Sequence, residues 1–239
     1  MEHQATVEAM IAVAVSAWVQ GSVGFGYALI SAPLLALVAP ELVPGPIMLS
    51  SLVLSLASAV RERTSIDRSG VALALLGRLP GVAIGAAALA WFSEHTTNVV
   101  FGVLVLVAVA LSLSGLALPR NRRTLVTTGF VSGVMGTMTS IGGPPIALVY
   151  QHAEGPELRA TLNTYFALGS AMSIPALALA GHFGRVELAS GLLLLPATGV
   201  GFAMSGASRR YLDEGRTRGA VLAVASVSAL AVVIRTLLV

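Results

Sequence analysis

The sequence predicts an all-α, polytopic membrane protein built from two inverted repeats, and three observations carry that prediction. The first is composition: the 239 residues are 56% hydrophobic and only 10% charged, with a mean hydropathy of +0.87. Soluble domains carry roughly 25% charged residues, so this chain could not cover a water-facing surface. The second and third observations are long charge-free stretches and paired glycine interruptions.

The composition also excludes several classes of function. It is incompatible with a soluble enzyme, a nucleic-acid binder and a disordered protein. The absence of cysteine excludes disulfides, iron–sulfur clusters and thiolate metal sites. An intramembrane enzyme would need an activated nucleophile or a metal triad, and the apolar segments offer neither. We therefore expect no enzymatic activity, no cofactor and no metal.

The charge-free stretches are long enough to cross a bilayer, which takes about 20 helical residues. They must be helices, because backbone groups in lipid have to be satisfied within the segment. In chain order they are 9–40, 42–60, 69–93 (interrupted only by Arg78), 95–119, 124–153, 160–184, 188–208 and 219–234.

Two of these stretches, 9–40 and 124–153, are too long for one upright span and too short for two. Glycine is unfavourable inside a helix and proline removes a backbone donor, so each stretch is predicted to be broken. The interruptions are Gly21, Gly24 and Gly26 in the first stretch, and Gly142 and Gly143 followed by Pro144 and Pro145 in the second. Either a re-entrant hairpin or a kinked full span satisfies this pattern.

A shift of 116 positions superposes helix-interrupting glycines and prolines of the two halves. It places Gly26 on Gly142, Pro80 on Pro196, and Gly85 on Gly201. We therefore expect one transmembrane domain, 1–239, made of repeat 1 (1–118) and repeat 2 (119–239). Each repeat would hold one broken segment and three spanning helices. The four-residue spacing of Gly77, Gly81 and Gly85 predicts close helix packing on one face.

Arginine placement favours re-entrant hairpins, because positive residues collect on the cytoplasmic side. If both broken segments return to the side they entered, eleven arginines share that side: Arg61, Arg63, Arg68, Arg120, Arg122, Arg123, Arg159, Arg209, Arg210, Arg216 and Arg218. With full crossings the arginines divide between the two sides. The re-entrant arrangement inverts the repeats and places both termini outside the cytoplasm.

Three segments resemble the TauE/SafE sulfite-exporter family: GSVGFGYALISAP at 21–33, TSIGGPPIALVY at 139–150, and SIDRSGVALALLGRLPGVAIGA at 65–86. The first two are similar to its repeated glycine signature, with Tyr27 where a third glycine is common and Ser140 replacing the leading glycine. The resemblance implies a multi-pass protein of the bacterial inner membrane. It also implies transport, often outward, of sulfite, sulfonates or other small organic anions.

The glycine interruptions themselves indicate an anion site, because half-helix N-termini present free N–H groups and partial positive charge. Hydroxyl and amide side chains lie in the same segments, although they could equally bond neighbouring helices. The candidate substrate-binding residues are Gln20, Ser22, Gly24, Gly26, Tyr27, Arg78, Thr139, Ser140, Gly142, Gly143 and Asn163.

Arg78 is the single charge that falls inside a predicted span. Intramembrane arginine is a functional hypothesis by default, but the side chain could also snorkel to the cytoplasmic surface. The sequence leaves both interpretations open.

These predictions converge on a secondary transporter of small anions that works by alternating access around the two breaks. An anion channel is the alternative. The expected partners are the anion and the lipid bilayer, without nucleic acid, and a homo-oligomer is one option for the assembly.

Overall fold

The computed structural model describes residues 3–212, with side chains described for residues 5–208. This part of the chain folds into nine α-helices and contains no strand, as predicted. The helices are α1 (His3–Val23), α2 (Tyr27–Val38), α3 (Gly45–Arg61), α4 (Arg68–Trp91), α5 (Glu94–Leu113), α6 (Arg122–Thr139), α7 (Gly143–Tyr150), α8 (Gly155–Leu179) and α9 (Arg185–Leu212). The predicted span over 219–234 lies outside the described residues.

Five of the described helices, α1, α4, α5, α8 and α9, are long and apolar enough to cross a membrane. They leave large apolar side chains on the surface, such as Leu76, Ile84 and Val200, each more than half exposed. A surface of this kind matches lipid rather than water. The protein is therefore a polytopic membrane protein.

Both predicted interruptions are present. Residues 24–26 (break 1) separate α1 from α2, and residues 140–142 (break 2) separate α6 from α7. The two breaks are related by the same shift of 116 positions. Gly24 and Gly26 have φ values of 103° and 117°, and Ser140 has φ of 64°. Since this left-handed region favours glycine, break 1 uses the residue type that suits it, whereas Ser140 adopts the conformation against its own preference.

The second broken segment returns to the end of the bundle at which it started. The backbone N–H of Leu118, just before α6, donates to the carbonyl oxygen of Leu148 near the end of α7 (3.1 Å). The side chain of Gln151 likewise donates to the carbonyl oxygen of Leu116 (2.5 Å). The start of α6 and the end of α7 therefore lie together, and the segment is a re-entrant hairpin.

The first broken segment also returns to the end at which it started, and that end is the opposite end of the bundle. Ala14 of α1 packs against Gly201 of α9, and Gly21, further along α1, packs against Ser205, further along α9. The two helices therefore run parallel. Gly45, which follows α2, packs against Glu187 near the start of α9. The chain after α2 has thus come back to the end where α1 and α9 begin. The sequence allowed either a re-entrant hairpin or a kinked full span for each broken segment. Both segments adopt the hairpin.

Charged residues separate between the two ends. One end, called the arginine-rich end, is defined by ion pairs that join Asp67, Arg120 and Glu157, and Glu62 with Arg159. The other end contains Glu187 beside Gly45, and there His182 Nε2 lies 3.0 Å from the carbonyl oxygen of Leu89.

Helices α4 and α6 pack with their backbones in contact along a glycine seam. A side chain at Gly77 would overlap the carbonyl of Val126, and one at Gly81 would overlap the carbonyl of Phe130. The close packing predicted for these glycines is confirmed. Gly201 of α9 makes the matching approach to α1 at Ala14. Each seam joins a helix of one half of the sequence to a hairpin of the other half.

Candidate functional site: a cavity between the two breaks

A cavity of about 40 Å³ lies where break 1 meets break 2. A water molecule needs about 10–15 Å³ measured in this way, so the space suits a few waters or one small solute. Its lining comprises Gln20, Phe25, Gly26, Ala28, Leu29, Ser51, Arg78, Ser140, Ile141, Gly142, Gly143, Pro144, Phe166 and Ser170. The lining has hydroxyl, amide and guanidinium groups. It also has apolar groups that belong to both hairpins.

Arg78 is only 3% exposed, and its guanidinium lines this cavity. Nη1 donates to Ser132 Oγ at 3.2 Å, and that hydroxyl donates to the carbonyl oxygen of Gly142 in break 2. The ring of Tyr165 lies 5.0 Å from the guanidinium carbon, a cation–π distance. The side chain is therefore held in the interior, and the snorkelling interpretation is wrong.

The Nε group of Arg78 is buried and has no hydrogen-bond partner. A buried donor without a partner costs about 1–3 kcal/mol, and more when it is charged. Buried guanidinium groups are normally paired with an acceptor. Because Arg78 lines the cavity, its positive charge gives the cavity the chemistry of an anion site.

Break 1 is held by an amide network centred on Gln20. Its Oε1 accepts the backbone N–H of Tyr27, the first residue of α2, at 3.2 Å. Its Nε2 donates to Ser55 Oγ at 3.0 Å and to Asn163 Oδ1 at 3.1 Å. Asn163 in turn donates to the carbonyl oxygen of Gly24 at 3.1 Å. The network joins α1, α3 and α8 and takes up the first N–H of α2.

Break 2 offers its amides differently. Pro144 and Pro145 occupy the first turn of α7, where proline is well tolerated. Neither proline has an N–H, so Gly142 and Gly143 supply the backbone donors that begin this helix, and both line the cavity. Ser140 Oγ donates to the carbonyl oxygen of Pro44 at 2.8 Å. That bond ties break 2 to the segment before α3.

The predicted site residues divide into two groups. Those that line the cavity are Gln20, Gly26, Arg78, Ser140, Gly142 and Gly143. Those that lie outside the lining are Ser22, Gly24, Tyr27, Thr139 and Asn163.

The second group supports the breaks from behind the lining. Ser22 donates to the carbonyl oxygen of Trp18 within α1, and Thr139 donates to that of Met135 within α6. The Tyr27 hydroxyl lies 2.5 Å from Ser50 Oγ. The first two bonds stay within one helix, and the third joins α2 to α3.

Sequence reasoning missed eight residues of the lining: Phe25, Ala28, Leu29, Ser51, Ile141, Pro144, Phe166 and Ser170. Phe25 stands between Gly24 and Gly26, so its place inside break 1 was a usable signal. Ser51 lies in a helix with three other serines, and Ser170 shares α8 with Ser173. Nothing in the sequence separates these two residues from the serines that bond their own helix.

The arginine-rich end carries a second polar cluster, around Asp67. Asp67 caps α4 by accepting the N–H of Gly70 at 3.0 Å, and it also accepts Tyr150 Oη at 2.8 Å. Burial alone would raise the pKa of this carboxyl, but the hydrogen bonds from Gly70, Tyr150, Ser69 and Arg120 outweigh it and lower the pKa to about 2. The cluster fastens the end of α7 to the start of α4.

A family model described as sulfite exporter TauE/SafE matches residues 9–232, nearly the whole chain. The chain belongs to the TauE/SafE family. No curated protein and no solved structure matches it. TauE/SafE proteins form a membrane transporter family rather than an enzyme family. In the described part of this TauE/SafE protein, no group of three or more histidine or acidic residues could hold a metal ion.

Proposed function

We propose that this protein is a secondary transporter that exports small anions, such as sulfite, sulfonates or organic acids, across the bacterial inner membrane. The observation that carries the proposal is the buried, partly unpartnered guanidinium of Arg78 in a cavity between two helix breaks. Both breaks lie where irregular backbone is enclosed by protein, which is where membrane proteins tolerate it. Broken helices around a central site are a recurring feature of secondary transporters.

We further propose that repeats 1 and 2 are inverted copies. The breaks are related by one sequence shift, and the hairpins open at opposite ends of the bundle. The seam of α4 with α6 also has its counterpart in the seam of α9 with α1. An inverted pair gives alternating access a structural basis, because each half can close the end that the other opens.

The positive-inside rule assigns the arginine-rich end to the cytoplasm. Under this proposal, the hairpin of α1 and α2 enters from outside the cytoplasm, and the hairpin of α6 and α7 enters from the cytoplasm. Both termini then lie outside the cytoplasm.

The test is uptake of labelled sulfite, sulfonates and carboxylates into proteoliposomes, with and without imposed ion gradients. Arg78→Gln should abolish transport of the anion that the unmodified protein carries. Arg185→Gln is the matched control, since it removes the same charge from an exposed position near the other end. Unchanged transport by Arg78→Gln would contradict the proposal. Single-channel currents in place of saturable, slow turnover would identify an anion channel.

A further inference from the structure

The residues that line the cavity include one that is charged. Among its lining residues, all of which the structure describes, Arg78 carries the sole formal charge. The polar remainder is neutral: Gln20, Ser51, Ser140 and Ser170, with backbone amides of the two breaks. The lining therefore presents one formal positive charge and no negative charge to a solute, and the N-termini of α2 and α7 add only partial positive charge.

Ionisable groups on the elements around Arg78 lie at helix ends. On α4 itself, Asp67 is eleven positions away, about 16 Å at the helical rise. On α8, Glu157 and Arg159 precede Gly169, the residue that contacts the guanidinium, by ten or more positions. On α6, Arg122 and Arg123 are similarly distant from Ser132. Tyr165 meets the guanidinium with the face of its ring, 5.0 Å from the guanidinium carbon.

The acidic groups at the arginine-rich end are also engaged with other arginines. Asp67 and Glu157 pair with Arg120, and Glu62 pairs with Arg159 at 3.0 Å. They are not free to neutralise Arg78. A solute in the cavity meets an arginine charge that its surroundings leave uncompensated.

We propose that the cavity selects singly charged anions and rejects doubly charged ones, an inference that rests on the proposed function. A monoanion beside Arg78 gives a neutral pair, whereas a dianion leaves one negative charge buried without compensation, which is strongly unfavourable.

For an acid with two ionisations, the bound species is then the form that keeps one proton. No lining side chain is a carboxylate or a histidine that could take this proton up. The proton therefore stays on the solute while it is bound. Transport of such an acid carries one proton along with each anion.

The experiment compares two tetrahedral probes of nearly equal size, methanesulfonate and methylphosphonate, binding to the purified full-length protein by calorimetry. Methanesulfonate is a monoanion throughout the working pH range, whereas methylphosphonate changes from monoanion to dianion as pH rises. Arginine stays protonated across this range. We expect constant affinity for methanesulfonate and a loss of at least about tenfold for methylphosphonate once it becomes a dianion.

The two proposals fail in different ways. Dianionic methylphosphonate that binds as tightly as its monoanion would overturn the charge selection and leave the anion transporter standing. Binding of neither probe, or equal binding by the unmodified protein and Arg78→Gln, would overturn the proposed function and the charge selection with it.

A second pair of variants changes the charge count directly. Ser51→Asp and Ser51→Asn place side chains of equal size at one lining position, and they differ by one negative charge. Since Asp would neutralise Arg78, we expect methanesulfonate to bind Ser51→Asp at least about tenfold more weakly than Ser51→Asn. Equal affinities, with thermal unfolding showing that both variants fold, would contradict the charge argument.

Discussion

The guanidinium of Arg78 occupies the space that Gly169 leaves open on α8. A methyl group at position 169 would lie 2.8 Å from Nη1 and closer still to the guanidinium carbon. Gly136 of α6 and Gly142 of break 2 also lie close to the same guanidinium. Because these three glycines have no side chain, they leave the space in which the Arg78 guanidinium lies.

Gly169→Ala should displace Arg78 and weaken anion binding by about tenfold or more, since about 1.4 kcal/mol corresponds to a factor of ten. The added methyl group should also lower stability by about 1–3 kcal/mol, as overpacked interiors do. Gly199→Ala is the control, because nothing lies within 4 Å of a methyl group there. Calorimetry with methanesulfonate measures the first effect, and equal affinities in the two variants would show that Gly169 does not position Arg78.

Gln20→Leu should destabilise break 1. The change leaves the N–H of Tyr27 and the Oδ1 atom of Asn163 without their partner, and each buried unsatisfied group costs about 1–3 kcal/mol. Ser16→Ala on the same helix removes only a hydroxyl bonded to the carbonyl oxygen of Ala12, so a smaller loss is expected. Thermal unfolding in detergent compares the two, and a stability loss no larger for Gln20→Leu would count against the network.

Asp67→Asn should lower stability at neutral pH by about 1–3 kcal/mol, because hydrogen bonds to a charged group are lost. The folded protein holds the pKa of Asp67 at about 2, below its ordinary value of 3.8. A lowered pKa stabilises the fold above the ordinary value, and this contribution disappears as pH falls from 3.8 towards 2. Unfolding temperatures of the unmodified protein and of Asp67→Asn should thus converge below pH 3.8. A constant difference down to pH 2 would argue against this account.

The orientation can be tested without removing native thiols, since the chain has no cysteine. Thr64 and His95 are exposed and lie near opposite ends of α4. A membrane-impermeant thiol reagent added to intact cells should label His95→Cys, and it should label Thr64→Cys only after permeabilisation. The reverse pattern would invert the assignment of the arginine-rich end. Labelling of both from one side would contradict the proposed span between them.

The positions of both breaks could be predicted because glycine and proline act locally on the backbone. Residues 24–26 and 140–142 interrupt the helices where the glycine and proline pattern placed them. Arginine counts favoured the hairpins over kinked spans for a different reason, since arginine reports on the side of the membrane at which a loop lies. Both signals can be read without knowing which helices touch.

The partners of the site residues could not be predicted, because they depend on which helices pack together. Gln20 and Asn163 are 143 positions apart in the chain. The inward direction of the Arg78 side chain did leave a signal in the sequence. Arg78 lies three and seven positions before Gly81 and Gly85, so it is on the same face of α4 as the glycines that pack on α6. That relation favours an interior arginine over a snorkelling one.

The backbone seams of α4 with α6 and of α9 with α1 have an evolutionary consequence. If the two halves arose by duplication, as proposed above, a single-copy ancestor had to assemble as a pair. The fourth helix of each ancestral copy then lay against the hairpin of the other copy, so neither subunit had a complete fold by itself. Fusion of the two genes preserved an interlocked dimer, and the present halves should not fold when expressed separately.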